Sequence, residues 1–132
     1  MIACGSNTVF YPNSVPVAIP DNGKSANPAI SSINITAAGN ISDVNVEVTI
    51  THTYSGDIII IIVAPDGTEV ILACRLGLSN PNGCDENACC GTSDDDVYTA
   101  TKFDQEAATA YNTPGLSFPL TGTFRHHRDI EG

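Results

Sequence analysis

The most regular pattern of apolar and polar positions runs from Ile41 to Gly67. Val44, Val46, Val48 and Ile50 alternate with Asp43, Asn45, Glu47, Thr49 and Thr51. Period two over this length predicts a β-strand with one buried and one wetted face. Ser55-Gly56-Asp57 turns the chain, and Ile58 to Val63 follows as an unbroken apolar run closed by Pro65-Asp66-Gly67, residues with turn chemistry. A strand apolar on both faces needs a partner surface for its outward side chains, Ile59, Ile61 and Val63.

Shorter patterns surround this pair. Ile30 to Thr36 predicts a strand with Ile33 and Ile35 inward, and Ala38-Gly39-Asn40 turns it into the alternating run. Thr68 to Cys74 is the return strand, with Val70 and Leu72 inward. Residues 75–101 form a long polar loop, a length that is uncommon unless the loop is stapled or binds something. Phe103 to Ala110 admits one helical turn. Near the N-terminus, Pro12, Pro16 and Pro20 confine Thr8 to Tyr11 and Val15 to Ile19 to short or edge strands. Short strands punctuated by turns predict an all-β, antiparallel sandwich.

Composition narrows the function. At 132 residues the chain is one domain, able to bury roughly two-thirds of its unfolded surface. Five basic against fifteen acidic residues, a net charge of −10, exclude the positive footprint of a nucleic-acid binder. That charge repels itself unless cations relieve it; a bound divalent cation and a merely solvated acidic surface both account for it. No run is long enough to span a membrane as an apolar helix. Of the five cysteines, Cys74, Cys84, Cys89 and Cys90 crowd one stretch and Cys4 stands apart. Their spacing makes no pair of CxxC knuckles, so a disulfide-stapled loop in an oxidising, extracellular setting is expected. The odd count leaves one thiol over, and Cys4 is placed to bridge to another chain. Asn34-Ile35-Thr36 and Asn40-Ile41-Ser42 are glycosylation-type sequons.

Several strings, in order, are similar to one family. Ile19-Pro20-Asp21-Asn22-Gly23, Ile41-Ser42-Asp43-Val44, Ile50-Thr51-His52-Thr53-Tyr54-Ser55-Gly56-Asp57, Ala64-Pro65-Asp66-Gly67-Thr68, Phe103-Asp104-Gln105-Glu106-Ala107 and Pro119-Leu120 resemble the P domain, or Homo B domain, of subtilisin-like proprotein convertases and secreted bacterial proteases. The resemblance covers roughly residues 17–132. It implies a jelly-roll-like β-sandwich that follows a catalytic domain, stabilises it, often binds calcium and has no catalytic residues of its own. By the same resemblance Asp57 and Asp104 are the leading calcium ligands, with Glu106 beside them. Calcium takes six to eight oxygens from carboxylates and loop carbonyls. Asp21, Asp94, Asp95 and Asp96 are weaker candidates, since an acidic run on a loop is commonly a solvated surface.

Two departures from the family shape the functional expectation. Its strand after the Gly-Asp pair alternates apolar residues with threonine, whereas Ile59, Ile61 and Val63 hold the outward positions here. Leaving such side chains exposed forgoes about 1.5–3 kcal/mol each, so either a local loop covers them or they form a protein–protein interface. The chain also ends at Gly132, where the family continues into a Trp-centred strand, and it contains no Trp. A strand from a neighbouring subunit would fill that gap, and head-to-tail donation would build a filament. Residues 1–18 are the expected extended donor segment and residues 19–132 the sandwich.

Catalysis is not expected. Gly91-Thr92-Ser93 superficially resembles a subtilisin-type nucleophile motif, but Asp94 follows where a small residue belongs, and a triad needs a base oriented by a carboxylate. His52, between Ile50 and Tyr54, reads as a hydrogen-bonded core residue. His126-His127 with Arg125 and Arg128 forms the only basic cluster. The expectation is a non-catalytic extracellular subunit that assembles with copies of itself, calcium-supported. The alternative is an accessory P domain that stabilises a secreted subtilisin-like serine protease. A carbohydrate-binding module is a third reading, weakened by the low aromatic content.

Overall fold

The alternating run folds as a strand over its second half. In β1 (Val46–Ile50) the valines and the isoleucine are half-buried while Glu47 and Thr49 face water, as period two dictates. Val44 lies before the strand and is exposed, so the buried face begins two residues later than the pattern implies. This is a computed structural model; it describes residues 7–21, 26–74 and 98–127. The chain divides into two compact units, Met1–Asn40 and Ile41–Gly132.

Among the described residues the second unit carries every strand: β1, β2 (Ile59–Val63), β3 (Glu69–Cys74), β4 (Tyr98–Phe103) and β5 (Leu120–Phe124). One sheet has the order β1-β4-β5 and the other pairs β2 with β3. The β2–β3 hairpin is built by its turn. Gly67 donates to the Ala64 carbonyl (2.9 Å), Ala64 donates to the Thr68 carbonyl (2.8 Å), and Thr68 donates to the Asp66 carboxylate (2.9 Å). Gly67 sits at φ +88°, the left-handed position that closes a three-residue hairpin loop. β1 and β4 run antiparallel, but β4 and β5 run parallel. The fold class is thus all-β as expected, with one pair departing from the antiparallel plan. Residues 104–119 make the crossover that a parallel pair requires. Within that crossover, the helical turn expected after Phe103 is instead a single bend in which Ala107 donates to the Asp104 carbonyl at 3.2 Å.

Register explains the core. Val46, Phe103 and Phe124 form one row across the first sheet, and Ile50, Tyr98 and Leu120 another. Tyr98, Phe103, Leu120 and Phe124 are buried, and they cluster with Leu72 and Ala73 from the second sheet, with Ile58 just before β2 and with Tyr111. Two sheets facing one apolar layer make a sandwich. Between these rows β4 bulges: pairing shifts on both its sides, Ala100 takes φ +46°, and its N–H donates to Thr49 Oγ1 at 3.0 Å.

The Tyr111 hydroxyl ties β3 to the segment after β5. It accepts from Cys74 N (3.1 Å) and donates to Cys74 O (3.0 Å). It lies 2.9 Å from His127 Nδ1, and His127 N donates to the Leu72 carbonyl at 2.8 Å. The hydroxyl has one proton to give, so its roles toward the Cys74 carbonyl and His127 Nδ1 are set together by the His127 tautomer.

The first unit differs from the expectation. Residues 30–36 form no strand, and Ile33 and Ile35, expected inward, are exposed. Side chains replace a ladder there. Asn13 Nδ2 donates to Ser31 Oγ (3.1 Å) and the Ser32 carbonyl (2.9 Å), and Ala37 N donates to Tyr11 Oη (3.0 Å). A strand needs a neighbour to receive its backbone groups, and among the described residues of this unit none pairs with residues 30–36. The proline-punctuated segments around Val9 and Val17 likewise form no strand.

A candidate carboxylate site

Antiparallel register brings the approach to β1 beside the exit of β4. Val46 pairs with Phe103, so Asp43, just before the strand, and Asp104, just after Phe103, lie at the same end of the sheet. Asp104 is pinned by its backbone: its N–H donates to the Phe124 carbonyl at 3.0 Å. Its carboxylate accepts from Glu106 N at 2.9 Å, folding the bend back so that two acidic side chains meet. Asp43 is steadied by Asn45, whose Nδ2 donates to it at 2.8 Å.

The electrostatics register this convergence. The Glu106 carboxyl is held above the usual carboxylate range, first by its hydrogen bond with the Asp104 carboxyl and then by the negative charges of Asp43 and Asp104. Like charges disfavour a second ionised group nearby, and either a proton or a cation relieves them. The donors are hard oxygens, the chemistry calcium takes. They do not form a closed cage. Among the described residues, no group of three or more His, Cys, Asp or Glu side chains is drawn together closely enough to hold a metal ion.

The other expected site residues are dispersed. Asp57 is exposed at the end of the short 3₁₀ turn Ser55–Asp57, where its N–H donates to the Tyr54 carbonyl at 3.2 Å; it is not among the groups that act on Glu106. Asp21 is exposed in the first unit. Asp94, Asp95 and Asp96 lie outside the described residues, as do Ser93, Arg128, Cys4, Cys84, Cys89 and Cys90. Cys74, at the end of β3, is disulfide-bonded. On β2, Ile61 and Val63 are exposed and Ile59 is half-buried. His52 is half-buried, with Nδ1 within 3.1 Å of Tyr54 N and 3.0 Å of Tyr54 O; one nitrogen serves one of these two at a time, tying the ring to the local turn. Asp43 was the residue missed. It sits in the Ile-Ser-Asp-Val string and on the polar side of the alternation, but only the β1–β4 register places it at the same end of the sheet as Asp104.

This end of the sheet and the β2–β3 hairpin fall within residues 41–109, which match the proprotein convertase P-domain, more than half of the chain. The chain belongs to the P-domain family. It is also 47% identical over 64 residues to a transglutaminase-activating metalloprotease of Streptomyces mobaraensis. That alignment covers 48% of this chain and 8% of the protease, so the P-domain chain spans a small part of that relative. No solved structure matches the chain. Asp43, Asp57, Asp104 and Glu106 all lie inside the family match.

Proposed function

We propose that this P domain is a non-catalytic, extracellular accessory module that stabilises the catalytic domain of a secreted protease. The family match over residues 41–109 carries this reading, and a protease relative that contains a similar segment supports it. Between the two expectations raised by the sequence, family membership favours the accessory role. No described helix is long and apolar enough to cross a membrane, and the Cys74 disulfide suits an oxidising compartment. Sequencing the genomic locus tests the reading: a protease catalytic domain in the same or an adjacent reading frame is expected. A locus without any protease removes the reading.

The cofactor in this proposal is calcium, with Asp104 and Glu106 supplying carboxylate oxygens at one end of the sheet and loop carbonyls and water completing the shell. Bound there, the ion would take the place of the hydrogen bond with Asp104 that chiefly raises the Glu106 carboxyl, and would offset the negative charges of Asp43 and Asp104. Asp57, Asp21, Asp94 and Asp96 are secondary ligands in this proposal, and disulfides among Cys74, Cys84, Cys89, Cys90 and Cys4 staple the intervening loop. Self-assembly by strand exchange is the second reading. One observation favours it: Ile61 and Val63, on an uncharged strand, are 44% and 58% exposed, and such strands invite pairing with another chain.

A further inference from the structure

We draw no further inference here: the strongest candidate, the apolar strip that Ile61 and Val63 expose along β2, carries nothing because no described residue shows what covers it.

Discussion

Two buried tyrosines in one core have opposite hydrogen-bond status, and that contrast predicts mutations of opposite sign. Tyr98 and Tyr111 are each 1% exposed, and both rings contact Phe103, with centroids 6.2 and 6.4 Å away. The Tyr111 hydroxyl serves Cys74 N, Cys74 O and His127. The Tyr98 hydroxyl is buried with no hydrogen-bond partner among the described residues. A buried polar group left unsatisfied costs about 1–3 kcal/mol, and a satisfied hydrogen bond contributes a net ~0.5–1.5 kcal/mol. Tyr98→Phe removes the orphan and keeps the ring, so a gain of about 1 kcal/mol is expected. Tyr111→Phe strips partners from two main-chain groups and an imidazole, so a loss of ~2–4 kcal/mol follows from the same scale. Urea unfolding followed by far-UV circular dichroism reads both, with an unchanged m-value showing that only stability moved. A loss on Tyr98→Phe that equals the loss on Tyr111→Phe would refute the reasoning.

The same residue predicts an alkaline limb. Burial raises the Tyr98 hydroxyl above its ordinary value of 10.0, and the nearby Tyr111 adds to this. A group whose folded pKa is raised contributes stability that is fully present below the unfolded value and lost as pH climbs through the folded one. Stability should therefore fall above about pH 10, the ordinary tyrosine value, and fall less steeply in Tyr98→Phe.

Other perturbations address separate parts of the molecule. Ala100 holds a left-handed φ of +46°, which costs a non-glycine residue roughly 1–2 kcal/mol. Glycine's own entropic cost of about 0.5–1 kcal/mol offsets part of the relief. Ala100→Gly should thus stabilise the β4 bulge by up to ~1 kcal/mol in a urea melt, and clear destabilisation would count against the bulge. Calcium should raise the melting temperature, with Asp104→Asn abolishing most of that rise in differential scanning calorimetry; an equal rise in the variant would place calcium elsewhere. For the self-assembly reading, Ile59→Thr with Ile61→Thr should weaken association in sedimentation velocity while circular dichroism stays unchanged. Association that persists undiminished would mean the strip is not its interface.

How much was legible in the sequence follows from how local each cause is. The β2–β3 hairpin was readable because Pro65-Asp66-Gly67 encodes its own turn and the flanking residues are β-branched. β1 was readable because alternation reports a one-sided core, although its start was not, since Val44 shares the pattern without sharing the burial. Ile30 to Thr36 has the same local signal and forms no strand, because a ladder depends on a neighbour that the segment itself does not specify. The parallel β4–β5 pair is a non-local choice made by the crossover at residues 104–119, where the sequence offered only one helical turn over Phe103 to Ala110. At the carboxylate site, motif resemblance singled out Asp104 and Glu106 singly. That Asp43 lies at their end of the sheet depends on strand register, which no window of sequence displays.

The central claim, an accessory role toward a protease, is tested most directly by the rate of heat inactivation. The protease from this chain's locus would be produced with and without the P domain, and its half-life measured by peptide hydrolysis in calcium-containing buffer. An accessory role predicts a half-life several-fold longer with the domain, an unchanged initial kcat, and no hydrolysis by the domain alone. Equal half-lives, or hydrolysis by the isolated domain, would contradict it.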